Sequence, residues 1–140
     1  MIRPLLSDED ILLAWPAIEA LRPHLQQEGL IAQVRAQMRE DGYRMIGFFV
    51  EDRVVAAFSG FRNSYKLSSG PGIYIDDLST LPAYRGKGYG SALLDYIHTL
   101  AKAEGKTNVQ LDSGHHRNNA HRLYLNKGYV ISAHHFTREV

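Results

Sequence analysis

The chain has 140 residues, 44% of them hydrophobic, and its 16 basic and 15 acidic side chains leave a formal charge of +1. That length can bury a real core as one domain, and so balanced a charge gives no general drive toward nucleic acid or an anionic membrane surface. The absence of cysteine rules out a disulfide framework, a thiolate zinc site and a cysteine nucleophile.

Residues 1–6 read as a short first strand, ended by Ser7-Asp8-Glu9-Asp10, whose hydroxyl and carboxylates suit a helix N-terminus. The first helix carries Ile11, Leu12, Trp15, Ile18 and Leu21, and Pro16 inside it implies a late start or a kink. A second helix is predicted over 28–40, apolar at Leu30, Ile31, Val34 and Met38 and stopped by Gly42. A hairpin follows, 44–50 and 54–61, turned at Glu51-Asp52-Arg53, and 62–72 reads as a loop rich in Ser, Gly and Asn. Ile73 to Leu78 is strand-like, and Leu93, Leu94, Ile97, Leu100 and Ala101 recur at helical spacing up to Glu104-Gly105. A fifth strand over 108–111, a helix over 118–126 and two closing strands within 129–138 complete the order β-α-α-β-β-β-α-β-α-β-β. No repeat, low-complexity tract or dividing linker interrupts it, so one domain spanning 1–140 is expected. Nothing at the N-terminus reads as a cationic leader and no apolar run approaches bilayer length, so a cytoplasmic protein without membrane or nucleic-acid partners is expected.

Between the strand at 73–78 and the long helix lies the most informative stretch, Tyr84-Arg85-Gly86-Lys87-Gly88-Tyr89-Gly90-Ser91. Glycines at 86, 88 and 90 permit positive φ and close backbone approach, so that amides at a helix N-terminus can meet a diphosphate while Arg85 and Lys87 supply charge. Two familiar nucleotide motifs fail here. Counted from Gly86, Ser91 occupies the place of the third glycine in G-x-G-x-x-G, and Leu81 stands where a triphosphate-binding loop needs glycine.

The pattern Arg85-x-x-Gly88-x-Gly90 instead resembles the pyrophosphate-binding signature with which the GNAT acetyltransferase superfamily holds coenzyme A. Ile75 to Pro82 is similar to that family's fourth strand, and Ala120 to Tyr129 is similar to its later A-x-x-x-Y-x-x-x-G-[FY] segment, in the same order. The segment from Leu111 through Arg117 to Tyr124 resembles a branch of small bacterial members. The resemblance covers about residues 73–130. It implies an α/β fold, a mixed sheet whose fourth and fifth strands splay, and acetyl-CoA as cosubstrate.

Acetyl transfer to an amine demands three roles: deprotonating the nucleophile, holding the oxyanion of a tetrahedral state and protonating the departing thiolate. The resemblance implies that Leu78, Ser79 and Thr80 pair with the pantetheine arm, with the Leu78 N–H as oxyanion donor. The diphosphate would lie on Arg85, Gly86, Lys87, Gly88, Tyr89, Gly90 and Ser91. Tyr124 stands where the family keeps a tyrosine beside the thioester sulfur and is the candidate acid. Asp76 matches the proposed base of a polyamine-acetylating branch, Asp77 or a water being the alternatives. Strand alternation puts at most one of these carboxylates toward the acceptor. Asn119 is a cofactor candidate by position, although the family's asparagine falls where this chain has Arg117.

His115-His116 and His134-His135 lack metal-ligand spacing, so no metal is expected. Asp112 is a candidate partner for His121 and Arg122. The leading function is transfer of acetyl from acetyl-CoA to a primary amine of a small cationic molecule. A protein or peptide amine and a noncatalytic acyl-CoA-binding module remain the alternatives, and family habit allows a homodimer.

Overall fold

Ser7 begins the first helix as the sequence requires: its Oγ accepts a hydrogen bond from Asp10 N at 3.1 Å, with Asp8, Glu9 and Asp10 in the first turn against the positive end of the helix dipole. In the computed structural model, which describes residues 1–140, strand β1 (Ile2–Pro4) precedes helices α1 (Asp8–Leu13), α2 (Trp15–Leu21) and α3 (Leu30–Asp41). Pro16 lies in the first turn of α2, where its missing N–H costs nothing, so the expected kink is a break between two helices at Ala14. Gly42, at φ +66, ends α3 in the left-handed region.

Strands β2 (Arg44–Glu51), β3 (Val54–Lys66), β4 (Gly70–Thr80) and β5 (Asn108–Leu111) complete a five-stranded mixed sheet in the order β1-β2-β3-β4-β5. Pairing is antiparallel from β1 to β4, and β4 runs parallel to β5. One correction falls on residues 62–72. They do not form a loop: β3 continues to Lys66, and Tyr65↔Pro71 and Lys66↔Gly70 pair across a tight turn. Gly70, at φ +74, supplies the conformation that lets the chain reverse there, which the Ser- and Gly-rich composition disguised.

Helix α4 (Tyr89–Ala103) and helix α5 (Asn118–Asn126) follow β4 and β5. Two compact units are distinguished, Met1–Gln110 and Leu111–Val140. In the first, Leu5, Ile11, Ala17, Ile18, Leu30 and Val34 pack with Met45, Phe49 and Phe58 in one cluster. Alternation sends Ile46 and Phe48 of β2 the other way, toward α4, whose Leu93, Leu94 and Ile97 are fully buried. Each such side chain is worth about 1.5–3 kcal/mol of hydrophobic transfer. In the second unit, Gly128, φ +89, turns the chain just past the end of α5, and the Tyr129 N–H bonds back to Tyr124 O at 3.0 Å.

The two closing strands expected within 129–138 do not form; the backbone there enters no ladder, and Val130, Ile131 and Phe136 are exposed. Their β-branched and apolar composition favours extension, but a strand exists only where a neighbour takes its N–H and C=O groups.

Candidate active site

The glycine turn is built outward from β4. Leu81 N donates to Ala56 O at 2.9 Å, keeping the chain on β3 for one residue past Thr80, and a single 3-10 turn over Pro82–Tyr84 then redirects it. Gly86 and Gly88 take φ +78 and +83, and Gly88 caps α4 with no side chain of its own. The first intrahelical bond runs from Ala92 N to Gly88 O at 3.0 Å, so the amides of Tyr89, Gly90 and Ser91 precede the helical ladder and point out of its positive end. Gly90 departs from the sequence reading. It lies within α4 and not in the left-handed region, so its role is close approach at the first turn.

Aromatic contacts fix the turn to the sheet. Tyr89 stacks on Phe48 with ring centroids 4.2 Å apart, Tyr84 lies 6.3 Å from Tyr89, and Lys87 Nζ stands 5.4 Å over the Tyr84 ring. Arg85 is tied at its base, Nε donating to Thr80 O at 3.1 Å. Residues 85–88 are exposed, and a Cβ built on Gly86 or Gly88 meets nothing within 4 Å. Open amides, two cations and free space at a helix N-terminus suit a diphosphate.

Strand β4 brings the candidate pantetheine and base residues to this turn. Leu78, Ser79 and Thr80 pair with Ser59, Phe58 and Ala57 on the β3 side. Beyond β4, the four-residue β5 starts level with Pro71, whose O accepts from Thr107 N at 2.9 Å. At about 3.3 Å per residue it ends well before Leu78, so that edge of β4 is not laddered by β5 there. This is the local form of the splay that the family resemblance implied.

The aspartates do not alternate. Gly60 pairs with Asp77 and Phe61 with Ile75, which leaves Asp76 as the extra residue of a β-bulge. Tyr43 stands against the Cβ position of Gly60, and its Oη donates to Asp77 Oδ2 at 2.7 Å. Arg62, two residues on and so on the same face of β3, pairs with Asp76, Nε lying 3.2 and 3.1 Å from the two oxygens. Both carboxylates therefore face the Gly60–Arg62 side, so the strand alternation from which at most one was expected toward the acceptor does not hold at this bulge.

Their surroundings differ. Asp77 is enclosed: besides Tyr43, Arg22 Nε and Nη2 reach its Oδ1 at 3.2 and 3.0 Å, and Arg22 Nη2 also donates to Asp76 O. Ser59 Oγ donates to Asp77 O at 2.7 Å. Burial and the Asp77 charge raise the Tyr43 phenol well above its ordinary value, so it remains a donor to that carboxylate. Asp76 has only Arg62 at its carboxylate; burial raises its pKa, with Arg62 opposing. A half-buried carboxylate with a raised pKa, beside the open edge of β4, has the character of a general base. Sequence reasoning missed Arg22, Tyr43, Gly60 and Arg62, which lie 14 to 55 residues from their partners and carry no local motif.

In the second unit, Tyr124 lies on α5, half-buried, its ring edge-on to Tyr129 with centroids 5.9 Å apart. Burial raises its pKa, Arg117 weakly opposing, so the phenol is protonated and able to donate at neutral pH. Asn119 is exposed in the first turn of the same helix. His121 bonds Gly114 O at 2.8 Å, and Asp112 lies 3.2 Å from His135 Nδ1. No helix in the chain is long and apolar enough to cross a membrane.

Comparison with known proteins accords with this geometry. The profile of the Acetyltransferase (GNAT) family matches residues 10–129. The chain is similar to an uncharacterized N-acetyltransferase, YhdJ, of Bacillus subtilis, 31% identical over 140 residues and covering 99% of this chain and 98% of that one. Over 64 residues it is 38% identical to an aminoalkylphosphonate N-acetyltransferase of Salmonella typhimurium, 46% of this chain and 42% of the relative. A solved putative acetyltransferase of Agrobacterium tumefaciens shares the fold, with a TM-score of 0.84, 21% identity and coverage of 100% and 99%. With a family match over most of its length and a relative aligned nearly end to end, this chain belongs to the GNAT acetyltransferase family.

Proposed function

We propose that the protein works in the cytoplasm as a single catalytic domain, moving the acetyl group of acetyl-CoA to the primary amine of a small molecule, the amine arriving as its ammonium cation. The observation that carries this reading is the Gly86–Gly88 turn opening α4 directly after a β4 edge that bears Asp76. Arg85, Lys87 and the amides at Gly86 to Ser91 would hold the diphosphate. The edge of Leu78 to Thr80 would take the pantetheine arm, and the Leu78 N–H would meet the developing oxyanion. When bound, acetyl-CoA supplies an activated acyl group with a thiolate leaving group. Asp76 receives the ammonium and takes its proton, directly or through a water, and Tyr124 gives a proton to the leaving sulfur. A relative named for acetylating aminoalkylphosphonates supports a small-molecule acceptor.

The test uses Gly88→Val. Nothing lies within 4 Å of the added Cβ, so the protein itself has room, and the left-handed φ of +83 costs about 1–3 kcal/mol. The variant should fold, with a lowered Tm, and lose measurable acetyl-CoA binding by calorimetry, because the valine fills phosphate space. A folded variant that binds acetyl-CoA as the wild type does would remove the turn from the site. Release of free thiol on mixing the wild type with acetyl-CoA and amines establishes the transfer itself.

A further inference from the structure

The acidic end of β4 holds two ion pairs of opposite character, and the difference bears on which amine is accepted. Asp77 is closed, bound from two directions by Arg22 and Tyr43. The second pair is open. Arg62 meets Asp76 through Nε alone, so its Nη donors take no part in that pairing, and the two side chains are 38% and 26% exposed. The guanidinium stands 5.0 Å over the Tyr74 ring, and Lys66, on the same face of β3, places Nζ 5.7 Å from that ring.

From this arrangement we infer that the acceptor carries an acid group a few bonds from its amine, and that Arg62 is the residue that selects it. The inference rests on the amine acetylation proposed above and names its substrate class: short amino acids of carboxylate or phosphonate type. A simple cation must share the Asp76 oxygens with Arg62 or displace it, and displacement leaves a half-buried guanidinium without its counter-ion, at a cost that the cation's own attraction to Asp76 must repay. An amine bearing an acid avoids that cost by exchange. Its ammonium takes the Asp76 carboxylate, its acid takes the Nη donors of Arg62 as two parallel bonds, and the local charge is unchanged. Lys66 extends positive charge along β3 for a longer acid. The exchange also frees the Asp76 carboxylate from Arg62, so the base is released only when an acceptor of this class is in place.

The experiment measures kcat/KM by thiol release for β-alanine, aminoethylphosphonate, propylamine and putrescine, on the wild type and on Arg62→Gln and Arg62→Lys, with acetyl-CoA affinity measured in parallel. The wild type should prefer the two amino acids to putrescine by about tenfold to a hundredfold, the size expected of a charge-assisted pair. Arg62→Gln should erase that preference and Arg62→Lys should keep part of it, while acetyl-CoA affinity is unchanged. A wild type that prefers putrescine overturns the inference even if Arg62→Gln fails to fold, as does an Arg62→Gln that lowers all four substrates equally. Acetyl-CoA binding with turnover of none of the four also overturns it and leaves the cofactor reading standing. A wild type that binds no acetyl-CoA overturns the proposed function itself.

Discussion

Alanine at position 60 would put one carbon where the protein already keeps Tyr43. A Cβ on Gly60 falls 1.7 Å from Tyr43 Oη, 2.3 Å from Cζ and 2.7 Å from Cε1, far inside the ~3.5 Å at which such atoms first touch. Tyr43 is only 6% exposed, so its ring cannot yield without disturbing the cluster that includes Leu30, Val34 and Met45. Forcing extra volume into a packed site costs about 1–3 kcal/mol. A displaced hydroxyl also forfeits its 2.7 Å bond to Asp77, and a hydrogen bond to a charged group is worth about 1.5–3 kcal/mol. Gly60→Ala should therefore cost about 4 kcal/mol and lower Tm by roughly 10–15 °C for a chain of this size. Thermal and denaturant melts of Gly60→Ala, Tyr43→Ala and the double variant complete a cycle in which the alanine is nearly free once the ring is gone. Loss of less than about 2 °C in Gly60→Ala, or an equal penalty with and without the ring, would refute the packing of Tyr43 over Gly60 and its support of Asp77.

Four further outcomes are expected. Tyr124→Phe should lower kcat by on the order of a hundredfold while leaving acetyl-CoA affinity intact, and an unchanged kcat would return Tyr124 to a packing role. Because burial raises Asp76, the acidic limb of kcat/KM should lie above the ordinary aspartate value of about 3.9, and Asp76→Asn should depress activity across it. Asp77→Asn should chiefly lower Tm by weakening the Arg22 and Tyr43 contacts; an inactive Asp77→Asn of normal Tm beside an active Asp76→Asn would move the base by one residue. Arg3 and Arg44 hold Asp10 and Glu104 below their ordinary values by hydrogen bonds of 2.8–2.9 Å. Groups lowered in the folded state stabilise above their unfolded pKa, so Tm should fall as pH drops below about 4, and less steeply in Arg44→Met; equal slopes would discount that pair.

Local chemistry is written in sequence wherever one residue or one short run decides the backbone. Ser7 caps α1, Pro16 separates α1 from α2, Gly42 stops α3, and the apolar spacing after Gly90 defines the buried side of α4. The glycine turn was legible for the same reason, since positive φ at Gly86 and Gly88 and a helix N-terminus are properties of adjacent residues. Pairing is different, because a strand's partners are set by ladders that close elsewhere in the chain. That is why Arg62 to Lys66 belongs to β3 despite loop-like composition, and why the apolar residues after Tyr129 form no strand. It is also why Asp76 and Asp77 share a face: the bulge opposite Gly60–Phe61 exists only in the register between β3 and β4. The family resemblance and two adjacent acids in an apolar strand named the carboxylates as candidates, but Tyr43, Arg22 and Arg62, brought in from distant elements, enclose one of them and leave the other in a single, partly exposed ion pair.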